Sequence, residues 1–498
     1  MTVAPRFAFD NSYARLPERF FARLDPAVAP APQMLALNAP LAETLGLDPV
    51  ALAGPEGVAI LSGAVVPDGA SPLAMAYAGH QFGNFVPQLG DGRAVLLGEV
   101  IRPDGARRDI QLKGAGRTPF SRMGDGKAAL GPVLREFLVS EAMHALGVRT
   151  TRALAAVSTG ERVVREEISR GAILTRVARS HIRVGTFQFF AARQDREGLQ
   201  ILVDHVIARH HPAAADAPVP AAALLAHVVA AQARLVASWL SVGFIHGVMN
   251  TDNMSVAGET IDFGPCAFLD AYQAGRVYSS IDREGRYAFG NQPRAAHWNL
   301  LQLAQALLPL MGADEGAAVA AAQAALDQFS DLYERAWTDA LRAKLGLEGA
   351  RDADAALGAD LLTRMEGGAA DFTLTFRNLA DLPGAIDGAG PASDGAVRDL
   401  FADPTAFDAW AVRWRARLAE TPREDGARRA AMRAVNPAVI ARNHMVEEAL
   451  VAAHHGDLAP FEALRAALAA PFDDHPEAPR LSAPPLPGEE VRATFCGT

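Results

Sequence analysis

Cysteine is nearly absent: Cys266 and Cys496 are the only two in 498 residues. A chain this long with two cysteines is not held by a disulfide framework, so a reducing cytoplasm is the expected setting. Excess positive charge is lacking as well. The net charge is −10, which argues against a general nucleic-acid binder, although a local basic pocket remains compatible with it. Long apolar runs are missing too. The Ala-rich stretch from Ala221 to Leu240 comes nearest to the roughly 18 residues of a membrane span, but His227, Gln232 and Arg234 interrupt it. The opening MTVAPRFAFDNSYARLPERFF has no apolar signal core, so neither a secretory nor a transit signal is expected. No internal repeat stands out. What is present is ordinary globular composition, with 50% hydrophobic and 21% charged residues. The length allows about three domains, or one large two-lobed unit.

Pattern along the chain changes from β to α. Residues 1 to about 75 read as an irregular, Pro-punctuated opening with a helix over Leu35 to Leu45. A Gly-rich stretch, YAGHQFGNFVPQLGDGR, runs from Tyr77 to Arg93 and precedes a hairpin. Ala94 to Ile101 is its first strand, Arg102 to Ala106 its turn, and the alternating Arg107 to Lys113 its second strand. A second Gly-rich loop, Gly114 to Gly126, leads into an amphipathic helix from about Gly131 to Leu146, with Pro132 in its first turn and Gly147 as its stop. Strands are expected over Ala153 to Ser158, Arg162 to Ile168 and Ile173 to Val177. Helices follow over Ala221 to Val242, Ala295 to Leu310 and most of residues 315–450, with a loop and short hairpin from His246 to Asp262.

The richest segment is IHGVMNTDNMSVAGETIDFGP, Ile245 to Pro265. Asn253 and Asp262 are oxygen ligands nine positions apart, the type that hard Mg²⁺ takes beside phosphate oxygens. Asp262-Phe263-Gly264 is a DFG triplet behind an H-G…D-N loop, the order used by protein kinases. Lys113 on a strand, some twenty positions ahead of Glu136 on a helix, repeats the kinase lysine–glutamate order. The glycines of Leu89-Gly-Asp-Gly-Arg93 would let backbone N–H groups approach phosphate, though a plain turn explains them equally. Asp125-Gly126 closes the second loop and is placed to reach the same cleft. Arg170, Arg176, Arg179 and Arg183 are either phosphate forks or a solvated face, and spacing alone does not choose. One departure matters. Kinases carry H-R-D-x-x-x-x-N, but here Val248 stands two after His246, so the usual base is missing and Asp252 is the nearby carboxylate.

The long strings NSYARLP, YAGHQFGNFVPQLGDGR, QLKGAGRTPFSR, LREFLVSEAMHALG, TRVARSHIRVGTFQFF, HGVMNTDNMS and DFGP resemble the selenoprotein O (SelO/YdiU) family over nearly the whole chain. The resemblance implies an α+β, protein-kinase-like two-lobed fold. Residues 1–76 would be an N-terminal extension, 77–205 a β-rich N-lobe, 206–450 an α-rich C-lobe, and 451–498 a tail. It implies AMP transfer from ATP to Ser, Thr or Tyr hydroxyls of proteins, with the nucleotide flipped relative to kinases. Gly90, Gly92, Arg93, Lys113, Asp125, Gly126, Arg176, Arg183 and Asp262 would bind nucleotide, and Glu136 would pair with Lys113. Asn253 and Asp262 would hold Mg²⁺ or Mn²⁺, and Asp252 would be the base. Arg176 and Arg183 would clamp the outward phosphates. A reversible Cys266–Cys496 disulfide would tie the tail to the metal loop. The competing readings are UMP transfer from UTP with Mn²⁺, a γ-phosphate kinase, and a non-catalytic nucleotide-binding scaffold. A monomeric, cytoplasmic protein that engages protein substrates, with no nucleic-acid or membrane partner, completes the expectation.

Overall fold

The computed structural model describes residues 5–165, 167–385 and 389–495. Its β structure lies almost wholly before residue 180 and its long helices mostly after it. The strands are β1 (Phe21–Arg23), β2 (Gln33–Leu37), β3 (Leu73–Met75), β4 (Gly79–Gln81), β5 (Asn84–Val86), β6 (Ala94–Ile101), β7 (Arg107–Lys113), β8 (Ala128–Ala129), β9 (Arg152–Val164), β10 (Ile168–Ala178), β11 (Phe244–Ile245) and β12 (Ala267–Phe268). One antiparallel sheet runs in the order β1-β3-β6-β7-β10-β9-β2, with β8 added on β10. The register of β6 on β7 pairs Ala94 with Lys113, and that of β10 on β7 pairs Leu174 with Lys113. Lys113 therefore sits at the end of a central strand with neighbours on both sides.

Alternation along β6 explains the layers. Val95 and Leu97 face a cluster with Leu41, Leu52 and Leu61 from α1 (Ala39–Thr44), α2 (Pro49–Ala53) and α3 (Pro55–Leu61), whereas Leu96 joins the main core on the other face. That second face is covered by α4 (Leu130–Ala145). Val133, Leu134, Phe137, Leu138 and Ala142 are all buried there, each large side chain contributing about 1.5–3 kcal/mol relative to exposure. Helices Asn443–His454 and Ala459–Ala469 pack against α4 from the far side, where Arg135 is buried and pairs with Glu447.

Three expectations of secondary structure change. Leu35 to Leu45 is not one helix: residues up to Leu37 pair with β9, and α1 starts only after Asn38, whose Oδ1 accepts the Leu41 N–H at 3.1 Å. Pro40 in the first turn fixes that start. The strands expected over Ala153 to Ser158 and Arg162 to Ile168 belong mainly to one strand, β9, which runs through to Val164. Gly160, at φ +78°, does not turn the chain but forms a bulge opposite the register shift between Arg170 and Ala172. The hairpin expected between His246 and Asp262 does not form. That loop bonds to its neighbours instead, through Val184 N–H to Met254 O (3.0 Å), Val256 N–H to Ile182 O (3.1 Å) and Thr260 N–H to Arg149 O (3.0 Å).

The remaining helices that frame the site are α5 (Val184–Ala192), α6 (Arg196–His210), α7 (Pro220–Ser241), α8 (Gln292–Leu307), α9 (Glu315–Leu326) and α10 (Gln328–Leu345). By length and composition α7 does meet the measure of a membrane span, contrary to the expectation from its polar interruptions. It packs against α8, α9 and α10, with 61% of its most apolar window buried. At the other end of the chain, Thr494 folds back: its N–H donates to Tyr278 O at 2.7 Å and its Oγ1 to Pro265 O at 2.6 Å.

Candidate functional site

A cavity of about 1040 Å³ opens between the glycine loops and the DFG segment, at the upper end of the size range of ligand clefts. Gly90, Gly92, Arg93, Asp125, Gly126, Arg183, Asp252, Asn253 and Asp262 all line it. The two glycine loops meet face to face. A Cβ on Gly90, whose φ is +77°, would lie 2.3 Å from the Phe120 ring, and Thr118 Oγ1 donates to Asp91 O at 2.7 Å. Asp125 is tied outward to Arg165 at 2.9 Å.

At the back wall one ammonium joins three elements. Lys113 Nζ lies 2.6 Å from Glu136 Oε2 and 2.5 Å from Asp262 Oδ1. Burial works against charge on Glu136, but Arg176 and Lys113 hold its carboxyl below the usual range. Burial also opposes charge on Asp262, yet Lys113 and Arg176, helped by Arg93 and Arg183, keep it ionised far below the usual range. Asp262 adopts φ +70°, a left-handed conformation uncommon for a residue with a side chain.

The arginines divide by position. Arg176 is fully buried behind the wall, with Nε 2.8 Å from Glu136 Oε1 and Nη2 3.4 Å from Asp262 Oδ1. It buttresses the two carboxylates and does not line the cavity. Arg183 does line it. Its Nη1 donates to the Asp252 carbonyl at 2.8 Å, and its guanidinium lies over the Tyr77 ring at 4.6 Å and 3.7 Å from Asp91 Oδ1. Arg170 is exposed on β10, and Arg179 Nη1 donates to Ala257 O at 3.2 Å; neither reaches the cavity.

Asp252 is the other pole. It sits in the short helical turn Thr251–Asn253, and its Oδ1 is buried without a hydrogen-bond partner. Burial raises its carboxyl to about 6, close to where a general base works at neutral pH. Asn253 Nδ2 donates to Val248 O at 3.0 Å, which orients the amide and leaves its oxygen as the ligand atom. An Asn oxygen and an ionised Asp on one cavity wall suit a hard divalent cation shared with phosphate. No cluster of three or more His, Cys, Asp or Glu forms an all-protein metal cage among the described residues.

Sequence reasoning missed the β4–β5 hairpin as part of the site. His80 N–H donates to Thr251 Oγ1 at 2.6 Å, Phe82 N–H to Asn250 Oδ1 at 2.9 Å, and Gln81 Nε2 to Asp252 Oδ2 at 3.4 Å. Gly79 is required there, since a Cβ would stand 2.9 Å from Asp252 Oδ1. Asp91 was missed as well. It is buried, accepts from Gln111 Nε2 at 3.2 Å and stands behind Arg183. The signal was present in the polar pair His80-Gln81 enclosed by glycines.

Cys266 is buried, donates weakly to Phe263 O at 3.3 Å, and has its thiol pushed up by burial to about 12. Cys496 lies outside the described residues.

A glycine-walled cleft with an ionised Asp backed by a lysine, and a second, buried carboxylate, suits an enzyme that handles nucleotide phosphates. Sequence comparison names the class and then the family. Relatives called protein nucleotidyltransferase YdiU include one from Methylorubrum populi, 62% identical over 497 residues and 99% of each chain. Others come from Rhodopseudomonas palustris strain BisB5, 61% identical over 499 residues, and Bradyrhizobium sp. strain ORS 278, 60% identical over 499 residues, each covering 100% of both chains. The family model described as protein adenylyltransferase SelO matches residues 5–469. The chain belongs to the SelO family and is a nucleotidyltransferase.

Proposed function

We propose that this nucleotidyltransferase moves AMP from ATP to Ser, Thr or Tyr hydroxyls of proteins, with ATP flipped relative to its pose in kinases. The observation that carries the reading is the placement of Asp252 and Asp262 on one cavity, with Asp262 held from behind by Lys113 and no carboxylate at the usual kinase base position, Val248. The acceptor oxygen forms a bond to the α-phosphorus while the bond to the β-phosphate oxygen breaks, and pyrophosphate leaves. The hydroxyl proton passes to Asp252. Lys113, Arg93 and Arg183 neutralise and align the triphosphate, which is most of what such a transfer requires. Asn253 and Asp262 would hold Mg²⁺ or Mn²⁺, which supplies charge neutralisation at the phosphates.

The same reading takes residues 77–205 and 206–450 as the two lobes of a kinase-like fold, in a monomer working in the cytoplasm. Its support is that the cavity wall draws on both segments. The redox pairing of Cys266 with Cys496 stays within the proposal, supported by the anchoring of Thr494 on Pro265. Intact mass after thiol alkylation tests it: one fewer pair of alkylated thiols under oxidant is expected, and an unchanged count removes the pairing.

The decisive assay incubates the protein with Mg²⁺ and ATP labelled at either the α- or the γ-phosphate, with a cell lysate as acceptor and Asp262→Ala as control. Label from the α position alone is expected. Label from the γ position alone makes the protein a kinase and overturns the flipped pose.

A further inference from the structure

A second cavity, of about 680 Å³, adjoins the nucleotide cleft. Phe82 and Ile281 line both, so the two spaces share a wall. The second cavity carries Arg283, Arg286 and Arg294. In a chain of net charge −10, none of these three guanidiniums has a carboxylate within ion-pair distance among the described residues. The Arg286 guanidinium carbon lies over Trp298, 4.6 Å from the ring centre, and its Nε is buried with no hydrogen-bond partner. Guanidiniums without a carboxylate partner, one of them held against an aromatic ring, suit an incoming carboxylate. Two carboxylates share the cavity. Asp282 is turned back into its own loop, accepting the N–H groups of Arg286 at 2.9 Å and Tyr287 at 2.8 Å, and Glu284 is exposed. The balance is positive.

The wall is also wired to the catalytic turn. Tyr287 Oη donates to Asn250 Oδ1 at 2.8 Å, the same oxygen that accepts the Phe82 N–H, and Asn250 stands two residues before Asp252. A chain lying in this cavity would present its next residues to Asp252.

We infer that this groove docks an acidic segment of the acceptor protein, next to the hydroxyl that is modified. The inference rests on the protein-acceptor reading above, and two readouts separate the fates of the two. The probes are 12-residue peptides with one Tyr flanked by Glu, by Gln or by Lys. Fluorescence anisotropy reports binding without any chemistry, and label from α-labelled ATP reports transfer. The Glu peptide should bind about tenfold more tightly than the Gln peptide, as expected for two or three partly exposed Arg–carboxylate pairs, and the preference should shrink with salt. The exposed double variant R283E/R294E should abolish that preference, and Arg286→Gln, which keeps contact with Trp298, should weaken it. Equal binding of all peptides, or a preference that survives R283E/R294E, overturns the groove. Tighter binding of a 12-nucleotide polyuridylate through the same arginines replaces protein by nucleic acid and also overturns it. Charge-selective binding with no AMP transfer to any acceptor leaves the groove standing and sinks the protein-acceptor reading. Transfer without charge preference does the reverse.

Discussion

Lys113 Nζ stands 2.5 Å from Asp262 Oδ1, and that contact closes the back of the nucleotide cleft. The strand, through Lys113, and the DFG loop, through Asp262, are fixed by one ammonium that also holds Glu136 on α4. Removing the ammonium leaves Glu136 still paired with Arg176, so the fold should survive while the phosphates lose their partner. Lys113→Met is expected to lower transfer by at least a hundredfold, on the order of 3 kcal/mol of transition-state stabilisation, with the melting temperature little changed. Asp262→Ala should abolish transfer. Wild-type turnover in either variant refutes the site.

Arg176 offers a sharper division between two roles. A phosphate clamp would raise KM for ATP when removed and leave stability alone. A buried buttress leaves Glu136 and Asp262 less compensated when removed. The geometry places Arg176 behind both carboxylates at 2.8 and 3.4 Å. Arg176→Met should therefore destabilise the protein by about 1–3 kcal/mol, read by denaturant unfolding, because Glu136 Oε1 loses its guanidinium bonds and only Lys113 still compensates the two carboxylates. A normal unfolding midpoint with a raised KM would return Arg176 to the clamp.

Much of this site was legible because its residues lie in contiguous strings. Lys113 on an alternating strand, Glu136 on an amphipathic helix and the Asn253…Asp262 spacing each carry local signals; the structure puts Asn253 and Asp262 on the cleft wall and joins Lys113 and Glu136 to it through Asp262. Tertiary pairings were not legible. Gln33 to Leu37 carries helix-compatible residues, yet its partner β9 lies over a hundred residues away and decides the outcome. The break expected between Ser158 and Arg162 is instead a bulge at Gly160, and a bulge and a turn ask the same positive φ of glycine. The depth of Arg176 could not be read from charge, since a buried arginine and an exposed one are the same letter.

Gln81 tests the hairpin that sequence reasoning passed over. Its Nε2 reaches Asp252 Oδ2 at 3.4 Å, a long contact through which it would position the proposed base. Gln81→Ala should lower kcat about three- to tenfold with KM for ATP unchanged, and Gln81→Asn should recover little because its amide is one carbon short. An unchanged kcat would mean that Asp252 is held adequately by its backbone, through Arg183 Nη1 on its carbonyl.

Lys344 supplies a stability test remote from the cleft. Its ammonium is buried at the end of α10, 4.4 Å from the Phe376 ring centre and 5.4 Å from that of Phe372, and no carboxylate lies within ion-pair distance among the described residues. Burial pushes it down to about 7 from the ordinary value of 10.5. Below pH 7 both folded and unfolded chains carry the charge, and the folded state bears the full cost of burying it. Between pH 7 and 10.5 the folded chain has released a proton that the unfolded chain still holds, so stability rises with pH across that window. Above it the group contributes nothing. Lys344→Met fills the same space without a charge and should stabilise the protein at pH 6 by on the order of 3 kcal/mol, less the lost attraction to the two rings. The gain should shrink through the window and vanish near its upper end. Denaturant unfolding at pH 6 and at pH 9 checks it: a gain independent of pH would mean that packing, not charge, is what Lys344 costs the fold.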